Sequence, residues 1–384
     1  MLFPYKYIPH DIERYQQYLD YLFYQVWLPA DPGVVFSDTL LAGHPDLRRI
    51  YGELHNVDGE ISGKAAQKFS GGIQRIYECF QPLEQAARER LKNGYEVNNE
   101  IERLCTDKTA TPLTYSDIAA NHPDLAKALR VFYDGIYSTG SFFNLKAFGG
   151  MYSTVLYEHY QTFTDEGNND EGICPFCGIN GIKGPDDRHR EAYDHYLPKG
   201  IYPFCALNFR NLVPMCHECN STEKGTLEPI FTDTKDRNSR VLAYYPFATI
   251  HTCPEFSVSI DNPNHATLER ENITISVTAP DCDEQVASWF RVFGLERRYL
   301  SHLTRKNVGR AWLNMILSAP HRDERTLGDG RYSMVDHDAR SMLAVLVSNA
   351  RLSPITELGF LKAGFLTSCA EIGMFEHLGL PANP

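Results

Sequence analysis

The hydrophobic and polar positions of the first 165 residues follow a helical period. Over Asp11–Trp27, apolar residues recur at steps of three and four, the spacing of one face of an α-helix. The sequence His-Pro-Asp-Leu occurs twice, and a proline followed by an acid is typical of a helix start. Ser62–Leu91 predicts a long helix interrupted at Gly71-Gly72. The pattern therefore predicts a helical N-terminal domain over residues 1–165.

The pattern of the C-terminal region, residues 236–384, predicts a small sheet plus helices. Phe256–Asp261 and Ile273–Val277 alternate apolar and polar residues, as strands with one buried face do. The polar segment Lys235–Arg240 is expected to be a linker. From Asp283 onward the helical period returns. Helices are expected at Leu295–Ile316, Val335–Val347 and Pro354–Leu366.

The central segment, residues 166–235, predicts two short strands and a short helix. Glu191–Leu197 is short and rich in aromatic residues, which is typical of a strand. Phe204–Val213 is expected to return as its partner, with Pro214 ending the pairing. Cys216–Lys224 predicts one or two helical turns closed by Gly225. The whole chain is thus expected to be an α+β protein.

Two C-x-x-C pairs in this central segment predict a metal centre. Cys174 and Cys177 form the first pair, Cys216 and Cys219 form the second, and 38 residues separate the pairs. This spacing is typical of two half-sites that fold together into one tetrahedral four-cysteine zinc site. Reduced cysteines without metal are the alternative interpretation.

The residues between and beside these cysteines are suited to phosphodiester hydrolysis. His195 can take a proton from water, because imidazole titrates near neutral pH. Asp194 and the amide oxygen of Asn220 are hard oxygen ligands, which suit Mg²⁺ or Mn²⁺ better than zinc. The sequence therefore predicts a structural zinc and a separate catalytic Mg²⁺ or Mn²⁺. A surface turn at Asp194-His195 is the alternative interpretation.

The segment resembles the HNH endonucleases of the ββα-metal class, in their zinc-bearing form. The resemblance covers roughly fifty to sixty of the 384 residues, and the third consensus letter is Asn rather than His. It implies Asp194 and Asn220 as ligands of the catalytic metal, His195 as general base and Asn211 as the group that orients His195. Lys224 stands where some relatives carry a further metal-binding His, and is expected to meet a phosphate oxygen. The implied products carry 5′-phosphate and 3′-hydroxyl ends.

The net charge of −12 is unfavourable for a nucleic-acid enzyme, because affinity for phosphates depends on Lys and Arg. Within residues 174–226, however, six Lys and Arg balance six Asp and Glu. We therefore expect weak affinity for DNA without help from a partner, from oligomerisation or from a local basic groove. Five basic residues could contact phosphates: Arg188, His189, Arg190, Lys199 and Arg210.

The remaining features indicate a cytoplasmic protein. The N-terminus lacks the basic and apolar regions of a signal peptide, and the longest apolar run, Met342–Val347, is too short to span a bilayer. Large bacterial HNH proteins of restriction and anti-phage systems are similar, including Septu-like pairs in which an ATPase accompanies the nuclease. The resemblance implies DNA, rather than RNA, as substrate. The alternatives are a toxin-like ribonuclease and a non-catalytic zinc module that binds nucleic acid or protein.

Overall fold

The computed structural model describes residues 1–55, 60–137, 152–168, 170–233, 235–319 and 338–380, and residue 382. It has the expected α+β fold: it is mostly helical, and the described residues form two antiparallel sheets of two strands each. Contacts divide the chain into two units. One consists of residues 4–170 and 182–249, the other of residues 1–3, 171–181 and 250–384.

Helices make up most of the unit formed by residues 4–170 and 182–249. They are α1 (Arg14–Tyr21), α2 (Pro45–His55), α3 (Glu60–Phe80), α4 (Gln85–Asn99), α5 (Ile101–Thr106), α6 (Tyr115–Ala119), α7 (Pro123–Tyr137) and α8 (Tyr152–Phe163). Helical turns at Asp11–Glu13 and Leu22–Trp27 extend α1 on both sides, so the predicted helix over Asp11–Trp27 is confirmed. Both copies of His-Pro-Asp-Leu start a helix at the proline, as predicted.

The predicted interruption at Gly71-Gly72 is wrong, because α3 continues through both glycines to Phe80. A Cβ atom on Gly72 would lie 2.7 Å from the Phe132 ring on α7. This glycine therefore allows close helix packing and does not break the helix. The chain leaves the helix after Phe80, next to Pro82, and α4 begins at Gln85.

The buried core of this unit includes the segment that leads into the candidate site. Phe23 and Tyr95 stack with their ring centroids 4.0 Å apart. The Phe204 ring contacts both of them, at centroid distances of 5.5 Å and 5.1 Å. Ala206 and Leu212 belong to the same buried cluster. The helices of the N-terminal region therefore fix the backbone from residue 204 to residue 212.

The first sheet pairs β1 (Ala192–His195) with β2 (Leu212–Met215). The first strand is confirmed, but its partner is shorter than Phe204–Val213 and starts later, because a single helical turn occupies Phe209–Asn211. The expectation that Pro214 ends the pairing is also wrong, since Pro214 lies opposite Tyr193. A two-stranded sheet leaves an outer edge on each strand, where a proline needs no N–H donor.

The segment Lys235–Arg240 is a packed turn and not the expected linker. The Thr232 amide donates to the Ser239 carbonyl oxygen over 3.0 Å. The Arg240 guanidinium donates to the carbonyl oxygens of Leu104 and Ile230. Since Leu104 lies in the last turn of α5, Arg240 satisfies a backbone group that a helix end leaves unpaired. Residues 236–249 consequently group with the N-terminal helices.

The other unit contains the second sheet and the C-terminal helices. Its elements are β3 (Glu255–Ile260), β4 (Ile273–Thr278), α9 (Asp283–Phe293), α10 (Leu295–Thr304), α11 (Gly309–Leu317), α12 (Ala339–Leu352) and α13 (Gly359–Glu371). The small sheet is confirmed.

The helix expected over Leu295–Ile316 is divided into α10 and α11. A further helix was expected over Val335–Val347. Residues 335–337 lie outside the described residues, and α12 begins at Ala339 and covers the rest of this range. The helix expected from Pro354 begins at Gly359. No helix in the described ranges has the length and apolar character that crossing a membrane requires.

Residues 171–181, with the first cysteine pair, belong to this same unit. The Trp289 indole N–H donates to the Phe176 carbonyl oxygen over 2.8 Å. The Tyr299 hydroxyl donates to the Cys177 carbonyl oxygen over 2.9 Å. C-terminal side chains therefore hold the backbone of the first cysteine pair, while the domain boundaries 165/166 and 235/236 stay predictions.

Candidate metal-binding and catalytic site

The four cysteines of the two C-x-x-C pairs form one cluster, as predicted. The sulfur atoms of Cys174, Cys177, Cys216 and Cys219 all lie within 4.8 Å of one another, and all four residues are buried. All ten cysteines lie in the described ranges, and none forms a disulfide. Four sulfurs bound to one zinc at 2.3 Å would be about 3.8 Å apart. The cluster can therefore hold a metal ion such as zinc.

The first cysteine pair lies in a tight turn. The backbone amides that follow it donate hydrogen bonds to a carbonyl oxygen and to a sulfur of the pair. The Gly178 amide donates to the Cys174 carbonyl oxygen over 2.8 Å. The Ile179 amide donates to the Cys177 sulfur over 3.4 Å. Gly178 has a φ of +62°, a conformation that glycine adopts without strain. An N–H donor to sulfur stabilises the thiolate form that a metal requires.

The second cysteine pair leads into a short helix, Glu218–Lys224, here called the knuckle helix. The Asn220 amide donates to the Cys216 carbonyl oxygen over 3.0 Å. Gly225 ends the helix with a φ of +47°, as predicted. Asn220 and Lys224 are four residues apart and so lie one turn apart along the knuckle helix. The sequence spacing thus places a cysteine of the cluster, an amide and an ammonium on one short element.

Lys224 lies inside the protein and pairs with Asp194 on β1. Its ammonium nitrogen is 2.9 Å from Asp194 Oδ2, and the two side chains are only 1% and 6% exposed. The same nitrogen donates to the His195 carbonyl oxygen over 2.9 Å. Burial raises the pKa of Asp194, and the charge of Lys224 opposes that rise. In this structure Lys224 therefore neutralises Asp194 and is not directed outward to a phosphate.

The Asp194 carboxylate has the properties of a ligand for a hard cation. Its Oδ2 atom is buried, and the Lys224 ammonium donates to it over 2.9 Å. The His195 carbonyl oxygen lies beside it, since one ammonium contacts both oxygens. Carboxylate and carbonyl oxygens are the ligands that Mg²⁺ and Mn²⁺ prefer. These residues fit the expected type of metal.

His195 is held in one tautomer by a backbone carbonyl group. Its Nε2 atom lies 3.0 Å from the Ala206 carbonyl oxygen. Because that oxygen can only accept, Nε2 carries the proton and Nδ1 of the neutral ring carries the lone pair. Burial lowers the pKa of His195 to about 3, so the ring is neutral at pH 7. A neutral imidazole with its far nitrogen anchored is the form that a general base requires.

The Asn211 side chain bonds to the backbone on both sides of the contact between His195 and Ala206. Its Oδ1 accepts from the Leu197 amide over 2.7 Å, and its Nδ2 donates to the Leu197 carbonyl oxygen over 3.0 Å. Nδ2 also donates to the Cys205 carbonyl oxygen over 3.2 Å. Leu197 follows His195 by two residues, and Cys205 precedes Ala206. The fully buried Asn211 side chain therefore links the backbone at Leu197 to the backbone at Cys205. These are the same two segments that the hydrogen bond between His195 and Ala206 connects.

Replacing Asn211 with alanine is expected to destabilise the protein by about 2–4 kcal/mol, because three buried hydrogen bonds are lost and their backbone partners stay buried. Urea denaturation measures this change. The matched control is Asn121→Ala, which removes an exposed asparagine and should change stability by no more than about 0.5 kcal/mol. Equal losses for the two variants would contradict a special role for Asn211.

The five basic residues proposed as phosphate contacts occupy different environments. The Arg190 guanidinium lies 5.2 Å from the centre of the Tyr193 ring, and that of Arg210 lies 4.2 Å from the Tyr7 ring. Lys199 is 3.9 Å from Asp134. Arg188 and His189 are exposed. Tyr193 directly precedes Asp194 in the chain, so the contact between Arg190 and Tyr193 places a cation and an aromatic ring just before it.

Two contacts of the site could not be predicted from the sequence. The Ala206 carbonyl group is a backbone atom, so no residue type marks it. The pairing of Asp194 with Lys224 joins residues 30 positions apart. A lysine one turn after Asn220 on a predicted helix is the one available clue, and it indicates only that both can lie on the same side.

Two known proteins are each similar to less than a fifth of the chain. Septu protein PtuB of Bacillus thuringiensis is 40% identical over 78 residues, which cover 19% of this chain and 29% of that protein. Protein ea31 of Escherichia phage lambda is 42% identical over 52 residues, which cover 14% of this chain and 15% of that protein. The chain thus matches less than a third of either relative. No protein-family model and no solved structure matches the chain.

Proposed function

We propose that this protein is a metal-dependent endonuclease of the HNH type that hydrolyses DNA phosphodiester bonds. The observation that carries the proposal is the neutral His195, anchored by its Nε2–H to the Ala206 carbonyl oxygen. It directly follows a buried carboxylate, Asp194, on the same strand. A base next to a hard-cation ligand is the pair of functions that hydrolysis of a phosphodiester needs.

In the proposed reaction, Nδ1 of His195 takes a proton from the attacking water. The Ala206 carbonyl oxygen accepts from Nε2–H, and so stabilises the imidazolium that forms. Asn211 keeps this contact in place through the backbone at Leu197 and Cys205. Asp194 and Asn220 would hold Mg²⁺ or Mn²⁺, which stabilises the charge that develops on the phosphate and the 3′ leaving oxygen.

The four-cysteine cluster is proposed to bind zinc and to act structurally. Four buried thiolates fill the coordination sphere of zinc and leave no position for water or substrate. Cys219 lies in the first turn of the knuckle helix, which also carries Asn220, and Cys216 precedes this helix by two residues. Zinc would therefore hold the knuckle helix in the position from which Asn220 meets its metal.

A role in anti-phage defence is part of the proposal. It is supported by the similarity to a segment of Septu protein PtuB. The net charge of −12 favours a partner protein that brings the nuclease to DNA, since the charge of the chain as a whole repels phosphate. An ATPase of the same defence system is the proposed partner, and the cytoplasm is the proposed location.

The proposed activity is tested with purified protein at low salt on plasmid DNA, single-stranded DNA and RNA. Each substrate is incubated with Mg²⁺ or Mn²⁺, with and without EDTA. Cleavage of DNA that depends on the added cation is the expected result. Cleavage of RNA alone would favour the toxin-like ribonuclease. Binding of any of these substrates without cleavage would favour a zinc module that has lost turnover.

A further inference from the structure

Two oxygen atoms of the candidate catalytic site contact the same buried cation, the ammonium group of Lys224. The Lys224 ammonium is 2.9 Å from Asp194 Oδ2 and 2.9 Å from the His195 carbonyl oxygen. Its side chain is 1% exposed. A lysine that bound substrate in this state would need access to solvent, which Lys224 does not have.

The environment of Asp194 explains why a cation is needed there. A buried carboxylate is costly unless it is paired, and the Asp194 side chain is only 6% exposed. Lys224 therefore provides the neutralising charge. The sequence led us to expect that Lys224 contacts a phosphate oxygen. In this structure its ammonium group contacts Asp194.

A divalent ion on Asp194 Oδ2 would be repelled by Lys224 in its present position. Bonds from Mg²⁺ to oxygen are about 2.1 Å long, so an ion on Asp194 Oδ2 would lie within about 5 Å of the Lys224 nitrogen. Repulsion between a double and a single positive charge at that distance in a buried site is large compared with thermal energy. The ion and the ammonium would also compete for the same carboxylate oxygen.

We propose that Lys224 is a displaceable cation at the proposed divalent-metal position, and that the His195 carbonyl oxygen is a further ligand of this position. The proposal rests on the proposed function in taking Asp194 as a metal ligand. Binding of a hard divalent cation moves the ammonium away from Asp194 and the His195 carbonyl group. The released Lys224 then becomes available to a phosphate oxygen. Lys224 thus lowers the affinity for metal and keeps the site folded without it.

The test measures Mn²⁺ binding directly, by the electron paramagnetic resonance signal of free Mn²⁺, on the full chain with verified zinc content. The compared proteins are the wild type, Lys224→Met, Asp194→Asn and the control Lys306→Met, which removes an exposed lysine. Lys224→Met should bind Mn²⁺ about tenfold more tightly than the wild type or better. Its melting temperature should also rise more when Mn²⁺ is added. Asp194→Asn should lose binding, and Lys306→Met should match the wild type.

The outcomes separate this inference from the proposed function. If Asp194→Asn loses Mn²⁺ binding but Lys224→Met binds no better than the wild type, Lys224 is not a displaceable cation, and the metal site stands. If Asp194→Asn binds like the wild type, Asp194 is not a ligand, and both proposals fail. If Lys224→Met does not fold because Asp194 is left unpaired, Lys224→Gln is measured in its place against the same two criteria.

Discussion

Replacing His195 with alanine is expected to slow DNA cleavage by about 10²–10⁴-fold, the usual contribution of a general base, while zinc content and fold are retained. The reason is that the anchored imidazole is the group proposed to take the proton from water. Its Nε2 is committed to the Ala206 carbonyl oxygen, so removal of the ring takes away the acceptor at Nδ1. Single-turnover cleavage of plasmid DNA with Mn²⁺ measures the effect.

The matched control is His217→Ala, because His217 is an exposed histidine inside the second cysteine pair. It should cleave at the wild-type rate. Circular dichroism and zinc analysis establish that both variants are folded and loaded. A His195→Ala protein with full activity would remove the assignment of His195 as base.

The pH dependence of cleavage provides a second measurement of the same assignment. Burial lowers the pKa of His195 to about 3, below the value of about 6.5 for an exposed histidine. The ring therefore stays neutral as the pH falls from 7 to 5. Protonation of His195 should not reduce cleavage in that range, and a loss of activity with a midpoint near 6.5 would contradict the buried, neutral base.

The parts of the site that the sequence predicted are those fixed by local spacing. Cysteines three apart form turns whose sulfurs can hold one metal, and Gly225 ends the helix that starts beside Cys219. The strand that carries Asp194 and His195 is marked by its own aromatic residues. In each case the interactions that determine the structure lie within a few residues of one another, so the pattern contains them.

The parts that the sequence did not predict depend on contacts between distant segments. The first cysteine pair is held by Trp289 and Tyr299, which follow it by more than a hundred residues. Gly72 is consistent with a helix break until the Phe132 ring is seen against it. Such contacts leave no periodic signal, which is why the sequence did not show them.

The helical N-terminal region has a role that its sequence alone does not indicate. Phe23 and Tyr95 enclose the Phe204 ring, and the Asn208 amide donates to the Asn99 carbonyl oxygen over 3.0 Å. These contacts fix the segment that provides the Ala206 carbonyl group. Since that group selects the tautomer of His195, the helices position the proposed base from a distance.

Replacing Cys216 with serine is expected to remove the metal from the cysteine cluster and to unfold the segment around it. Cys216 is one of the four sulfurs that lie within 4.8 Å of one another. Its carbonyl oxygen also accepts from Asn220, so its position affects the knuckle helix. Structural zinc contributes about 10–16 kcal/mol in small zinc domains, and whole domains are stable by only about 5–15 kcal/mol. Loss of one thiolate should therefore exceed the effect of an ordinary core substitution, which is about 1–3 kcal/mol.

Zinc content by mass spectrometry and thermal unfolding by calorimetry measure this prediction, and Cys105→Ser is the matched control. Cys105 is also fully buried but lies outside the cluster, so its replacement should lower stability moderately and leave about one zinc per chain. Cys216→Ser should lose the zinc, the fold around the knuckle helix and, with it, DNA cleavage. Chelation of zinc from the wild type should have the same effect, because without the ion four buried sulfurs are left without the bond that holds them together. A Cys216→Ser protein that melts like Cys105→Ser would mean that the cluster is only a packed group of thiols, and the knuckle helix would then need another source of stability.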